Sequence, residues 1–308
     1  VVIGCERPKI VVRNDFTFFS FDPKLPPAAE VEQGLLVEIE TKDCFSDQIT
    51  EEEQLVTEID FSRINPATGP IFVKGAKKGD ALAVRIHRID LKEQGAIVTI
   101  PNEGILGDKV RQAKTVICNV DQDKVKFLNL GLPVRKMIGV IGVATPENTP
   151  TGTPGRHGGN MDTTVITEGA TVYFPVSYDG ALFGLGDLHA VMGDGEICVA
   201  ACEIAGSVTV EFKSISAMSP SWPCVETKDW LYIIVSDEDI NKAFYVATDL
   251  AVKSLEHALQ IDWHDAYMLA SLAMDLEICQ LVDPRKTVRA KLPKSIISAE
   301  KLLEAISE

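Results

Sequence analysis

Asp187 and His189 stand two residues apart in G-D-L-H-A-V-M-G-D-G-E, residues 186–196, a segment that also carries Asp194 and Glu196. Carboxylates and an imidazole are concentrated here among Gly186, Gly193 and Gly195. Residues 173–185 are apolar and strand-like, so these groups emerge at a strand end. On a strand, positions two apart share a face. Oxygen and nitrogen donors converging from one face suit a divalent ion such as zinc. The same residues also fit a turn-rich loop in which aspartates cap backbone N–H groups, because D-x-H is a short pattern.

Two further polar segments accompany it. T-G-T-P-G-R-H-G-G-N-M-D-T, residues 151–163, has too much glycine and proline for a helix interior or a central strand. It reads as a loop wrapped over a ligand, with His157, Asn160 and Asp162 among small residues. Asn160 has an amide N–H for a developing oxyanion, and Asp162 is able to ligate a metal or orient a histidine. The third segment, T-K-D-C-F-S-D-Q-I at residues 41–49, presents Asp43, Asp47 and Gln48 at a strand end. Gln48 suits an amide, and Asp43 suits a metal or a proton. The run Glu51-Glu52-Glu53 reads as a solvated helix start.

These segments need a scaffold, and the pattern gives a mainly β one with a C-terminal helical pair, an α+β class. Residues 34–41, 81–91, 96–100, 208–215 and 230–235 alternate as half-buried strands, and 136–144 is an apolar, glycine-interrupted one. His87 falls on the polar phase of its strand and reads as a surface residue. Apolar residues at helical spacing predict a helix over 240–259, with Ser236 and Asp237 as capping candidates. A second helix is expected from about 262 to 282, a strand over 290–297 and a short helix over 298–306 with Ser298 as N-cap. The division is a β-rich body, residues 1–235, carrying the motifs, and a helical unit, 236–308, packed on it as one integrated domain. Strands and crossover helices do not alternate, which argues against a doubly wound parallel sheet.

Composition narrows the function. The 308-residue chain of 33.5 kDa is 45% hydrophobic and 24% charged, ordinary for a globular protein able to bury a large core. Its net charge of −15 argues against nucleic acid and anionic membrane surfaces. No apolar run is long enough to span a membrane, and the first residues do not read as a signal peptide. Seven cysteines without a C-x-x-C pair fit reduced thiols in a cytoplasm.

The chain resembles the acetamidase/formamidase family. G-T-P-G-R-H-G-G-N-M-D-T and G-L-G-D-L-H-A-V-M-G-D-G-E are similar to its two hallmark motifs, and E-T-K-D-C-F-S-D-Q-I to an N-terminal one. P-C-V-E-T and M-D-L-E-I-C-Q-L-V-D-P extend the likeness over residues 35–285. Met192 departs from it, standing where many relatives are expected to have glutamine, and bears on the pocket lining. The resemblance implies hydrolysis of short aliphatic amides such as formamide and acetamide, a Swiss-roll-like β/β/α layout, a homodimer and a divalent metal. Within that expectation, Asp187 and His189 are metal ligands, with Asp162 or Asp43 completing the set. Zinc is the expected ion, and a second, oxygen-rich site is left open for calcium. Glu196 is the expected proton shuttle, with Glu203 in reserve. Asn160 and His157 join it as catalytic candidates, and Gln48, Gly158 and Gly159 are placed against the substrate.

Two other readings stay open. A cysteine-nucleophile amidase could use Cys198, Cys202 or Cys118 with Glu196, although I-C-V-A-A-C reads as buried strand. A calcium-dependent β-rich protein could hold a small ligand without turnover. Trp263 and Tyr267, four apart, could anchor a dimer or pack into the core.

Overall fold

The computed structural model describes residues 10–121 and 123–307. The expectations for the N-terminal leader and for Cys5 lie outside that range. The longest strand, Ala81–Thr99, organises the sheet. It pairs antiparallel with Glu203–Ile215, Lys114–Asp121 and Thr171–Pro175. Glu203–Ile215 pairs in turn with Leu36–Thr41, whose burial alternates as a half-buried strand requires. Val37, Ile39, Leu82, Val84, Ile86, Val208, Val210 and Phe212 fill the core beneath these strands. Each such side chain, fully buried, contributes about 1.5–3 kcal/mol.

A second group of strands carries the polar motifs. Met137–Gly142 lies between Gly158–Asn160 and Phe183–His189, antiparallel to both. Phe183–His189 also pairs with Ala67–Val73, and its last two residues meet the start of Glu203–Ile215, with His189 opposite Glu203. All seven residues of Phe183–His189 are buried. The apolar stretch 173–185 is thus two strand segments joined by a turn.

The C-terminal layer begins with Trp230–Asp237, which pairs with Lys286–Pro293. Helix α1, Ile240–Leu259, packs on these strands through Ala243, Ala247, Ala251 and Leu255, spaced four apart along one face. Its N-cap is Asp239, whose carboxylate accepts from the Asn241 N–H, so the cap falls two residues beyond the expected Asp237. Helix α2, Trp263–Ala273, is opened by Asp262, and α3, Ala299–Ile306, by Ser298 as expected. The long second helix expected to residue 282 is corrected: it ends at Ala273, and Asp275–Gln280 is a strand paired with Lys286–Pro293. The final strand also begins earlier than expected, at Lys286. Trp263 and Tyr267 stack on each other with ring centroids 5.0 Å apart and remain exposed, outside the core. No helix among the described residues is long and apolar enough to cross a membrane.

The architecture is therefore mainly β, with three α-helices among the described residues, the last of them C-terminal to the final strand. The helical layer is tied to the β body by strands on both sides of residue 236.

Candidate active site

His189 closes its strand and is 1% exposed. Its Nε2 lies 3.1 Å from Glu203 Oε2, 3.4 Å from Asp187 Oδ1 and 3.7 Å from Asp162 Oδ1. None of these approaches has hydrogen-bond alignment. Both imidazole nitrogens, both Asp162 oxygens, Asp187 Oδ1 and Glu203 Oε2 are buried without a hydrogen-bond partner. Buried polar atoms normally find partners, so this many orphans in one place require an explanation.

The backbone brings them together by leaving regular strand geometry. Asp162 (φ 39°), Asp187 (φ 56°) and Glu196 (φ 47°) all adopt the left-handed region. Such conformations cost about 1–3 kcal/mol each for non-glycine residues and cluster where function holds them. Asp187 and His189 do converge, but a left-handed residue, not plain strand alternation, aims the Asp187 carboxylate. Gly139 supplies the space. It lies between the Ile138–Leu188 and Val140–Gly186 pairs, facing Asp187 in register. A Cβ there would stand 2.3 Å from Asp162 Oδ1 and 2.4 Å from Asp187 Oδ2.

The electrostatics mark a shortage of positive charge. Burial pushes the Asp187, Glu196 and Asp283 carboxyls well above the usual range, and neighbouring carboxylates add to each shift. Burial also raises Asp162, to about 6, against the opposing pull of His189. Burial lowers the His189 imidazole, but Glu203 and Asp187 overcome that and hold it well above its ordinary value. For Glu203, burial raises the carboxyl, but His189 and hydrogen bonding bring it below the usual value. His189 is thus surrounded by the buried carboxyls Asp162, Asp187, Glu196 and Glu203, with the half-buried Asp283 beside them.

Two donor groups emerge. Asp162, His189 and Glu196 each offer an atom within 4.8 Å of the others, as do Cys44, Asp187 and Glu203. The orphaned donors, the cradle over Gly139 and the unbalanced carboxyls all fit a divalent cation at this point. The centre opens into a cavity of about 560 Å³. Its polar end includes Asn160, Asp187, Glu196, Glu203 and Asp283.

Of the residues singled out in the sequence, Asn160, Asp162, Asp187, His189 and Glu196 come together, and so does the reserve residue Glu203. Asn160 Nδ2 donates to Asp283 Oδ2 at 2.9 Å, leaving its Oδ1 buried without a partner. Asp43 is adjacent but outside both donor groups; its Oδ1 accepts from the Phe45 and Asp47 N–H groups. Burial raises its carboxyl to about 7. Gln48 is not brought in either: its amide joins Phe45 and Asp60 across the loop. His157 turns to a separate polar cavity beside Arg156, Trp222 and Arg285, with its ring edge-on to Phe21. Gly158 and Gly159, at φ 100° and 84°, permit close backbone packing against Ile141 and Thr153. Asp194 braces the loop, pairing with Arg289 at 2.7 Å and accepting from Thr164 Oγ1. Met192, where the departure was noted, lines an apolar cavity that shares Glu196 with the main one.

Two contributors were missed. Asp283 looked only like a helix stop before Pro284, and Cys44 like a buried apolar residue. Gln280, fully buried, holds Asp283 in place: its Oε1 accepts from the Val282 and Asp283 N–H groups, and its Nε2 donates to the Arg285 carbonyl and Thr287 Oγ1. The cysteine segment 198–202 is also corrected, since it forms turns before Glu203–Ile215 and not strand. Val199 there has φ 76°. Burial raises the Cys198 thiol, and the Cys198 Sγ donates to the Ala200 carbonyl.

Fold and site together define a β-rich protein with an outer helical layer and a buried carboxylate–imidazole centre at the base of a cavity. The chain belongs to the acetamidase/formamidase family, whose sequence profile matches residues 9–151 and 144–299. It is similar to the acetamidase of Bacillus halodurans, 43% identical, covering 92% of this chain and 97% of that one, with a TM-score of 0.90. An acetamidase/formamidase of Thermoanaerobacter tengcongensis, so assigned by prediction, is 44% identical over 93% and 96% of the two chains, also with a TM-score of 0.90. The formamidase of Methylophilus methylotrophus is 24% identical over 253 residues, 61% of each chain. The chain spans 60–62% of the curated relatives it matches.

Proposed function

We propose that this protein hydrolyses the C–N bond of linear amides, formamide and acetamide being the smallest, to a carboxylate and ammonia. The observation that carries the reading is the group of unpartnered, buried Asp162, Asp187, His189 and Glu203 atoms, of which Asp187 and Glu203 reach the wall of a cavity. Family membership supports it. A non-catalytic calcium-binding protein has little use for an imidazole among its ligands, whereas amide hydrolysis needs polarisation and proton transfer at one place.

Asp162, Asp187 and His189 would hold one divalent ion, with Glu203 next to them and Cys44 able to join, which leaves Glu196 for proton transfer. The mixed nitrogen and oxygen set favours zinc, and the Cys44 thiol beside Asp187 and Glu203 disfavours calcium there. Such an ion, when bound, supplies Lewis acidity toward a carbonyl oxygen and a water. The protein's own groups do the rest. Glu196, pushed upward by burial, faces the cavity and can take a proton from water and return it to the leaving nitrogen. Asn160 orients Asp283. The raised Cys198 thiol, bonded to a backbone carbonyl, speaks against a cysteine nucleophile.

The test is ammonia release from acetamide, with metal content measured on the same sample. His189→Ala is expected to lose metal and turnover together. Glu196→Gln is expected to lose turnover while keeping most of the metal. Absence of ammonia at any metal loading would remove the enzyme reading. We also propose a homodimer through the exposed face of α2, where Trp263, Tyr267, Met268 and Leu272 lie in the open. Sedimentation at two concentrations tests it.

A further inference from the structure

The cavity above the donor groups is far larger than formamide or acetamide requires. Its volume of about 560 Å³ belongs with cavities of about 300–1,000 Å³ that enclose drug-sized ligands. Its wall is two-sided. The polar end carries Asn160, Asp187, Glu196, Glu203 and Asp283, and the remainder includes Phe45, Val56, Phe61, Ile64, Val98 and Ile100. Phe45, Val56 and Val98 are buried and belong to a compact apolar cluster with Ile49, Ala96 and Ala200. That wall is backed by packing rather than by a loose loop. Phe61 is 47% exposed and stands at the rim.

Formamide has no apolar group to place against this wall, and acetamide has one methyl. An apolar wall unfilled by substrate gains nothing from burial, because its stabilisation scales with the apolar area removed from water. We infer that the preferred substrates are primary amides with apolar acyl groups of four or more carbons, the carboxamide at the Asp187–Glu196–Glu203 end and the acyl chain along Phe45, Val56, Val98 and Ile100. This rests on the amidase reading and specifies its substrate. The reaction is unchanged: water adds to the acyl carbon, the C–N bond breaks and the nitrogen leaves as ammonia with the proton it needs. The product is a medium-chain or aryl carboxylate.

The test measures ammonia from formamide, acetamide, butyramide, hexanamide and benzamide with the full-length protein as purified. The expected result is a rise in kcat/KM of about fourfold per added methylene from acetamide to hexanamide, the value corresponding to burial of one such group. A kcat/KM that is flat or falls beyond acetamide overturns the inference and leaves the amidase reading standing. Ammonia from none of the five overturns both. Val98→Phe, which fills the apolar end, should lower the hexanamide-to-acetamide ratio of kcat/KM at least tenfold. Ile100→Ala, at a half-buried position that tolerates truncation better, should lower that ratio about fourfold or more. A ratio unmoved in folded variants places the acyl chain elsewhere and overturns the assignment of this wall.

Discussion

Arg289 and Asp194 meet at 2.7 Å, joining the strand Lys286–Pro293 of the C-terminal layer to the loop that carries Glu196. The guanidinium is 4% exposed and also bonds Glu277, Thr163 and Thr164. One side chain therefore fixes two of the site's loops at once, the segment after Asp162 and the segment before Glu196. Arg289→Met is expected to cost about 2–3 kcal/mol, less than a fully buried pair because Asp194 is 42% exposed. Asp194→Asn should cost less than about 1 kcal/mol. Chemical denaturation of the two variants checks the order, and equal effects would contradict it.

Gly139→Ala adds one methyl group where Asp162 and Asp187 approach. Metal affinity is expected to fall about 10–100-fold, as it does when ligand support is disturbed, and turnover with it. Titration with zinc reads the affinity directly. Retention of wild-type affinity would mean that the two aspartates do not share an ion.

Gln280→Leu leaves the Val282 and Asp283 N–H groups without their acceptor. The expected loss is about 2 kcal/mol, the low end of about 1–3 for each of the two unsatisfied groups, because Val282 and Asp283 are half-buried. Gln280→Glu keeps an acceptor and should recover part of both stability and turnover. If activity survives Gln280→Leu in folded protein, the placement of Asp283 does not matter to the reaction.

His157 gives the pH dependence. Burial and the nearby Arg285 hold its imidazole down, at about 4 against an ordinary 6.5. Its depressed value means stability is fully present above pH 6.5 and is lost as pH falls toward 4, where the unfolded chain binds the proton first. The loss amounts to about 3 kcal/mol for this group. His157→Phe keeps a ring against Phe21 and should flatten the fall in melting temperature between pH 6.5 and 4.5. An unchanged profile would assign the acid sensitivity to other groups.

Cys198→Ala is expected to keep turnover within about twofold, since its thiol is raised by burial and has a carbonyl partner. Loss of activity in folded Cys198→Ala would revive the thiol mechanism.

Local pattern made some of this legible and left the rest hidden. Helix α1 could be read to its ends, Ile240 and Leu259, because its apolar spacing is long and uninterrupted. D-L-E-I-C-Q at 275–280 looked helical because Leu, Glu and Gln suit helices. Its pairing with Lys286–Pro293, a tertiary contact, decides otherwise. Asp162, Asp187, His189 and Glu196 were visible because each sits in a dense polar segment. Asp283 was not, since a single aspartate before proline carries a turn meaning, and only folding brings it to Asn160. Asp43 carried the opposite ambiguity: it has the chemistry of a ligand, but its nearest donors are its own backbone neighbours.

The placement of Asp283 and Arg289 beside Asp162 has a consequence for how the protein is made. The segments that supply Asp162, Asp187, His189, Glu196 and Glu203 leave the ribosome first. At about 5–20 residues per second, synthesis from Asp162 to Asp283 takes on the order of ten seconds. During that interval the acidic half of the centre exists without the strand that clamps it. Until that strand arrives, Asn160 lacks its Asp283 partner and Asp194 lacks Arg289, so the loops around the donor groups are the last part of the centre to be fixed.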